Sequence, residues 1–372
     1  MKIESIKTFL VGRALLVRVY TDDGIVGNGE AGLWAYHRVV AEMIRDLSEY
    51  YVGKDPFQRE HHYQVVSRDT HFQGAVLSAA ISGIDIALWD IVGKALGQPV
   101  YNLLGGKCRN KVRVFANASG DTPAARGESA LQQVQAGYRS IRTTPFLPQA
   151  AKQSSTQRVK SAAAIVRAIR EAVGDEIDLG LEIHRNMTPD EAIMLATELL
   201  PYRLLYYEDP LGPESNEALD YVVRHVNLPI ATGERFWSIQ QYRDLIDRKT
   251  VAMIRVDPSL AGGYTQAKKI AGLAEASFVG VFPHLMGSPV NIAAFVQFGA
   301  AVPNYQLMES LNIDNHPLLE IVDNPPQRVG SYLAVPDRPG IGLEILEDKL
   351  AKFPYNPKPI VAEFKEDGSV IH

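Results

Sequence analysis

From about residue 111 onward, short apolar runs alternate with amphipathic stretches of helical length. Runs that are almost continuously apolar are typical of parallel strands buried on both faces, and the stretches between them end at Gly or Pro, as helices do. Eight such runs in succession predict a closed barrel of alternating strands and helices. In chain order the runs are VRVFAN, YRSIRTT, DLGLEI, LLYYE, PIATGE, MIRVD, FVGVF and YQLME.

The N-terminal part has a different pattern. KIESIKTFLVG and ALLVRVYTDDG alternate apolar with polar residues and predict two antiparallel strands. The glycine-rich stretch TDDGIVGNGEAG, residues 21–32, predicts a loop. Residues 74–97 carry apolar side chains at helical spacing and precede Pro99, so they predict a helix. Beyond about residue 326 the alternation ceases, and we expect that segment to pack against the N-terminal part.

A doubly wound open sheet is the alternative arrangement of alternating strands and helices. Such a sheet typically carries a GxGxxG or P-loop motif after an early strand, and neither stands here in a convincing context. A chain of 372 residues also exceeds one ordinary core, which favours a barrel with a second, smaller domain. We therefore predict an N-terminal α+β domain over residues 1–110, a barrel over 111–325 and a C-terminal segment over 326–372 that returns to the first domain.

Composition limits the classes of partner. A net charge of −5 gives no reason to expect nucleic acid or an anionic membrane, and no apolar run predicts a membrane span. With Cys108 as the single cysteine, neither an intrachain disulfide nor a thiolate metal cluster can form. A reducing, cytoplasmic location fits this composition. A bound metal would need oxygen and imidazole ligands, which favours Mg²⁺ or Mn²⁺.

Three glutamates close successive apolar runs at equal intervals of 26 residues: Glu182, Glu208 and Glu234. Because the chemistry of such barrels lies at the carboxyl ends of the strands, these side chains should converge. Three converging carboxylates repel one another strongly unless a cation lies between them, so we predict that they bind one Mg²⁺. Salt bridges at the rim of the barrel are the simpler interpretation of each glutamate taken alone.

The next strand ends carry further polar residues. Asp257 and His284 end neighbouring runs, and strands about 4.8 Å apart allow an Asp–His hydrogen bond that would make His284 a general base. His184 follows Glu182 by two residues and could be a metal ligand, a general acid or a support for the ligands. Glu309 ends the last run. A structural histidine remains the simpler alternative for His184 and for His284.

The stretches AAISGIDIALWD, LLGG, LEIH, YYEDP, TGER, DPSLAGG and FPH together resemble the mandelate racemase subgroup of the enolase superfamily, over nearly the whole chain. The resemblance implies a (β/α)₇β barrel closed by an α+β capping domain. It also implies Glu182, Glu208 and Glu234 as Mg²⁺ ligands, Asp257–His284 as the catalytic dyad, and Glu309 as the acid that hydrogen-bonds the substrate carboxylate. That last role requires Glu309 to hold or share a proton.

Two departures from the subgroup narrow the activity. Racemases of the subgroup have Lys-x-Lys at the end of the second barrel strand, where this chain has Arg142 and Thr144 in IRTTP. Without a second base, the site favours elimination of water. In sugar-acid dehydratases of the family, a histidine placed like His184 protonates the departing 3-hydroxyl. A further difference concerns the metal site and not the activity. The first metal ligand of the family is more often Asp, and the extra methylene of Glu182 changes the reach of the side chain by roughly 1.5 Å.

These observations predict an Mg²⁺-dependent dehydratase that converts a sugar acid, an aldonate or a related acid, to a 2-keto-3-deoxy acid. An epimerase or cycloisomerase that uses the same enediolate intermediate is one alternative, and a non-catalytic binding protein on the same scaffold is another. Arg142, Thr144, Trp34 and His37 are candidates for substrate binding, the last two within a covering loop over residues 27–37. The family habit suggests a homo-oligomer.

Overall fold

The computed structural model of the chain describes residues 1–69, 71–309, 313–362, 364–365 and 367–370. Its N-terminal domain is an antiparallel sheet in the order β1-β2-β3, covered by helices. The long helix α3 matches the predicted span, so that prediction is confirmed. The elements are β1 (Ile3–Val11), β2 (Ala14–Thr21), β3 (Val26–Ala31), α1 (His37–Tyr51), α2 (Arg59–Arg68), α3 (Ala75–Ala95) and α4 (Val100–Leu103).

The loop predicted over residues 21–32 is wrong for half of its length, because residues 26–31 form β3 and pair with β2. The glycines there serve close packing: a Cβ on Gly29 would lie 2.2 Å from the carbonyl oxygen of Gly83 in α3. By length and composition α3 could cross a membrane, but 83% of its most apolar window is buried within this fold. It is the core helix on which the sheet packs.

We expect Gly29→Ala to destabilise the protein by about 3 kcal/mol, the upper end of the usual cost of an overpacked core. The added methyl would force β3 and α3 apart, and chemical unfolding measures the loss. Gly272→Ala is the matched control, since nothing lies within 4 Å of its Cβ position. In the helix over Gly263–Ala276 this change should be neutral or stabilise by up to about 1 kcal/mol. Equal stability of Gly29→Ala and the parent would contradict the close packing.

The barrel alternates strands and helices from residue 111 to residue 309 within the described part of the chain. Neighbouring strands from β4 to β10 are parallel, β11 pairs with β4, and a bridge between Val281 and Tyr305 closes the ring. The predicted (β/α)₇β barrel is confirmed. The elements are β4 (Lys111–Asn117), α5 (Pro123–Gln135), β5 (Ser140–Thr143), α6 (Ser155–Val173), β6 (Asp178–Glu182), α7 (Pro189–Leu199), β7 (Tyr206–Glu208), α8 (Asn216–Val223), β8 (Ile230–Thr232), α9 (Ile239–Asp247), β9 (Met253–Ile254), α10 (Gly263–Ala276), β10 (Gly280–Val281), α11 (Pro289–Ala301) and β11 (Met308–Glu309).

The inside of the barrel is packed solid. Phe115, Tyr206 and Phe282 form an aromatic cluster there, with the Tyr206 and Phe282 ring centroids 4.8 Å apart. Gly180 makes room for Tyr206, because a Cβ on Gly180 would overlap that ring at 2.1 Å. Polar chemistry is therefore confined to the end of the barrel above this cluster.

The chain after the barrel has two parts. Its first elements are the hairpin β12 (Arg328–Val329) and β13 (Tyr332–Ala334), and β13 adds to β4 in antiparallel register. The later part, with α12 (Glu347–Leu350), returns to the N-terminal domain, where Gly12 exchanges backbone hydrogen bonds with Phe353 and Asn356. Only the later part of the segment therefore packs against the N-terminal domain as predicted. The β12–β13 hairpin instead extends the barrel sheet. Short 3₁₀ helices span Ala150–Lys152, Leu200–Tyr202, Ile313–Asn315 and Leu319–Ile321.

Candidate active site

Three buried glutamates meet at the carboxyl ends of the barrel strands. Glu182 ends β6 and Glu208 ends β7, and the two are direct partners in the parallel register. Glu234 follows β8 by two residues. One oxygen from each carboxylate lies within 4.8 Å of the other two. The equal spacing in sequence therefore does bring the three side chains together.

The donor set fits a hard divalent cation. All three groups offer carboxylate oxygens, which Mg²⁺ prefers. Glu208 is fully buried, yet neither of its oxygens accepts a hydrogen bond. Arg255 Nε lies 2.5 Å from Oε1 of Glu208, but this contact is an ion pair without hydrogen-bond alignment. Burial and the neighbouring Glu182 and Glu234 raise the pKa of Glu208 well above its ordinary value, and a cation would reverse that effect.

Two arginines, Arg142 and Arg255, form ion pairs with the glutamates of the cluster. Nη1 of Arg142, on β5, lies 3.0 Å from Glu182 and 2.7 Å from Glu309. Arg255, which is fully buried, contacts Glu208 and lies 3.4 Å from Glu309. Burial alone would lower the pKa of both guanidinium groups, but the carboxylates raise it. Both arginines therefore stay charged and offset part of the acidic cluster.

Sequence reasoning missed Arg255. It lies in MIRVD, two residues before Asp257, and alternate residues of a strand face the same side. The sequence did contain a signal for Arg255. It is a charged residue inside an apolar run, and it shares a face of the strand with the catalytic candidate Asp257. Arg185 was also missed: its Nη1 lies 2.5 Å from Glu234 and 3.0 Å from Asp209. No spacing or motif marks Arg185.

Asp257 and His284 form the predicted hydrogen bond. Nδ1 of His284 lies 2.8 Å from Oδ2 of Asp257, so Nε2 is the free nitrogen. The other oxygen of Asp257 accepts hydrogen bonds from Ser259 N at 2.8 Å and Ser259 Oγ at 2.6 Å. The carboxylate is thus fixed by one neighbour while it orients the imidazole. Ser259 was not singled out from the sequence.

The surroundings of His284 make it strongly basic. Burial alone would lower the pKa of its imidazole, but the charge of Glu234, the hydrogen bond to Asp257 and the charge of Glu309 raise it to about 9. A divalent cation at the glutamates would offset those charges and lower this pKa. Basicity and cation binding are therefore linked at this site.

His184 reaches the cluster through a strained turn, not along the strand as the two-residue spacing implied. β6 ends at Glu182, and His184 and Arg185 have φ of 58° and 64°. Such values are unusual for residues other than glycine and concentrate at functional sites. Nε2 of His184 lies 3.3 Å from Glu182, and half of the side chain is exposed. Burial lowers the pKa of His184, and Glu182 opposes that effect only in part.

Glu309 and Thr144 differ from their expected settings. Burial alone would raise the pKa of Glu309, but Arg255, Arg142 and His284 hold it below the ordinary value. These groups thus favour the carboxylate form of Glu309 while no cation is bound, and its hydrogen bond to the substrate carboxylate stays a prediction. Thr144 accepts Arg126 Nη1 at its carbonyl and lines a cavity of about 470 Å³ together with His184. His184 links this cavity to the acidic cluster, because it lines the cavity and also contacts Glu182.

The predicted covering loop is shorter than expected, because β3 extends to Ala31 and leaves residues 32–36 as the loop. Within the described residues, neither Trp34 nor His37 has a recorded hydrogen bond or ion pair to the glutamates. His37 starts α1, is buried beside the ring of Tyr355, and has a pKa lowered by burial to about 4. Trp34 lines a cavity of about 540 Å³ at the edge of the loop. Their proposed contact with substrate stays a prediction.

Two family models match the chain. Residues 3–105 match the N-terminal domain of mandelate racemase and muconate lactonizing enzyme, and residues 125–349 match the enolase C-terminal domain-like family. The two matches together cover most of the chain. They follow the order of the N-terminal domain and the barrel.

Curated relatives and solved structures match over nearly full length. The chain is 34% identical to D-galactonate dehydratase of Klebsiella pneumoniae, over 94% of each protein, and 36% identical to that of Xanthomonas oryzae, over 96% of this chain and 95% of the relative. A protein from Agrobacterium radiobacter, described as an enolase and a candidate galactarate dehydratase and bound to sodium and L-malate, is 29% identical over all of both chains with a TM-score of 0.93. A member of the enolase superfamily from Salmonella Typhimurium is 30% identical over 95% of this chain and 98% of its own, with a TM-score of 0.90.

Proposed function

Because the chain belongs to the enolase superfamily, in the mandelate racemase and muconate lactonizing enzyme family, and is a sugar-acid hydro-lyase, we propose that it dehydrates an aldonic or related acid with one bound Mg²⁺. The resemblance found in the sequence motifs is thereby confirmed. The product proposed is the corresponding 2-keto-3-deoxy acid. A cytoplasmic location and a homo-oligomer stay predictions.

The proposed reaction begins at His284. Its free Nε2 takes the proton from C2, next to the substrate carboxylate, while Asp257 holds Nδ1 and stabilises the imidazolium that forms. Loss of that proton puts a second negative charge on a group that is already anionic. The developing charge is the main energetic obstacle, and the site must offset it.

Glu182, Glu208 and Glu234 would hold the Mg²⁺. When bound, the ion supplies a Lewis acid for the substrate carboxylate, an effect worth several kcal/mol. Arg142 and Arg255 hold the ligand carboxylates in position and offset part of their negative charge. Glu309 serves as a fixed counter-charge to these arginines, with Oε2 accepting the backbone N–H of Leu285 at 2.6 Å.

Water then leaves from C3. His184, at the mouth of the cavity it shares with Thr144, gives a proton to the 3-hydroxyl as the C3–O bond breaks. The electron pair left at C2 forms the C2–C3 double bond, and the resulting enol tautomerises to the 2-keto acid. One proton is taken and one given, so the net change is the loss of one water.

The observation that carries the proposal is the lack of a side chain able to act as a base at the end of β5, within the part of the chain that the structure describes. At the end of β5 the side chain of Arg142 is tied to Glu182 and Glu309, and Thr144 is held near Arg126. Neither can remove a proton near neutral pH. One base on a single face of C2, with His184 as an acid, supports elimination over racemisation.

We expect the purified protein, supplied with Mg²⁺, to release 2-keto-3-deoxy product from at least one member of a panel of aldonic and aldaric acids. Trapping of the keto product as its semicarbazone measures turnover, and omission of Mg²⁺ is the control. Deuterium uptake at C2 without loss of water would favour an epimerase instead. A folded protein that binds Mg²⁺ but turns over no acid would overturn the proposal.

A further inference from the structure

The C-terminal tail, residues 351–370 where they are described, is an exposed segment that contacts both the N-terminal domain and the loop after β6. At its start the backbone N–H of Asn356 donates to Gly12 at 2.6 Å, in the N-terminal domain. At its far end Lys365, Asp367 and Val370 line a cavity beside α7, together with residues 186–188 just beyond β6. The tail therefore joins the N-terminal domain to the loop beyond β6, the loop that also carries His184 and Arg185.

The middle of the tail meets the covering loop at Trp34. Nζ of Lys358 lies 3.5 Å from the centroid of the Trp34 ring. Leu33 and Ala35, on either side of Trp34, have φ of 66° and 76°. Two strained residues that present one aromatic ring are a pattern of functional sites. Nε1 of Trp34 is buried and has no hydrogen-bond partner among the residues that the structure describes, so it holds an unused donor there.

This loop is joined to the catalytic dyad. The backbone N–H of Gly32 donates to Ser259 O at 2.8 Å, and Ser259 in turn fixes Asp257. A Cβ on Gly32 would lie 2.8 Å from Ser259, so the loop approaches the rim as closely as a backbone can. The position of Trp34 is thus set by the same residue that orients the dyad.

The charges near Trp34 are unbalanced. Among the described residues, no carboxylate lies within ion-pair distance of Lys358 or of Arg13, which lines the same cavity as Trp34. Burial lowers the pKa of Lys358, and repulsion from Arg13 and Arg185 lowers it further. Arg185 is bound to Glu234, so this positive region borders the proposed metal ligands. Lys358 and Arg13 are both exposed and have no carboxylate partner among the described residues, and neighbouring unpaired cations attract an anion.

On the basis of the proposed function, we propose that Lys358 determines substrate specificity by binding a carboxylate at the end of the sugar acid remote from the metal. Trp34 supports the ammonium group with its ring face and offers Nε1 to an oxygen of the same ligand. The preferred substrates are then aldaric acids, which are carboxylates at both ends. D-Galactonate, named in the curated relatives, ends in a primary alcohol that cannot offset these cations.

The test compares acids of one configuration that differ only at C6, such as galactarate with galactonate and glucarate with gluconate. We expect the parent enzyme to have at least a tenfold higher kcat/KM for the turned-over aldarate than for its aldonate. Lys358→Met should lower kcat/KM for the aldarate at least tenfold and change that for the aldonate less than twofold. Lys358→Arg should keep the aldarate preference, since the charge is retained.

Lys111→Met is the matched control. Lys111 lies over the ring of Tyr332 at 4.1 Å, at the amino end of β4 and thus at the opposite end of the barrel. Lys111→Met should leave kcat/KM unchanged for both the aldarate and the aldonate. Equal losses for both acids in Lys358→Met, or a parent enzyme that prefers the aldonate, would overturn the role of Lys358 while the dehydratase stands. Failure of every acid to react in the parent would overturn the proposed function and this inference with it.

Discussion

His284→Asn is expected to lower kcat for dehydration by about 10⁴-fold, the upper end of what a general base contributes. Asparagine can still accept or donate a hydrogen bond toward Asp257, so the local packing is kept. Nε2, which takes the C2 proton, is lost. The measurement is turnover of the best acid, together with exchange of the C2 proton into deuterated water. Both should fall together, because both begin with the same proton transfer.

The control for His284→Asn is Asp257→Asn. It keeps the imidazole but removes the negative partner that raises the pKa of His284. The base acts only when neutral, so kcat/KM of the parent should rise with pH through the pKa of His284. That midpoint should lie below the value of about 9 that applies without the cation. In Asp257→Asn it should move to still lower pH, with a smaller loss of rate. Retention of full activity by His284→Asn would contradict its role as the base.

The barrel could be predicted because its signal is periodic. Eight apolar runs at similar spacing recur along the chain, and each predicted run overlaps the corresponding strand within the described residues. The equal spacing of Glu182, Glu208 and Glu234 carried over directly to space, since parallel strands place equivalent residues side by side. Here local sequence and global fold agree.

Other features depend on contacts that no local pattern encodes. β3 looked like a loop because its glycines suit turns, yet they are required by the backbone of α3 packed against them. Arg255 and Arg185 are set by the neighbouring strands, whose charges they offset. The place of Lys358 depends on a tail more than 300 residues away from Trp34 in sequence. Such long-range pairings need the assembled fold.

The arginines also separate two roles among the acidic residues. Glu309 is held by Arg142 and Arg255 and accepts a backbone N–H, so its bonding capacity is largely used. Glu208 has the same arginine neighbours but no accepted hydrogen bond on either oxygen. A buried carboxylate with unused oxygens is costly unless a further cation binds to it. Neutralising Glu208 and neutralising Glu309 should therefore have different effects on Mg²⁺ binding.

Glu208→Gln is expected to abolish stabilisation by Mg²⁺ and to reduce turnover to background. In the parent, Mg²⁺ at a hundred times its Kd should add about 2.7 kcal/mol to the free energy of unfolding. The variant removes a charge from the centre of the triad while its shape is kept. Because burial already raises the pKa of Glu208, the neutral amide should leave the metal-free protein at least as stable as the parent. Thermal unfolding with and without Mg²⁺ measures both effects.

Glu309→Gln is the matched control, because it removes a buried carboxylate from the same arginines but lies outside the triad. It should keep the full Mg²⁺-dependent rise in melting temperature. If Glu208→Gln kept that rise and Glu309→Gln lost it, the metal would have to be held by a different group of oxygens. If both variants lost it, the arginine–carboxylate network as a whole would determine the affinity, since Arg142 and Arg255 would then no longer hold the remaining ligands in position.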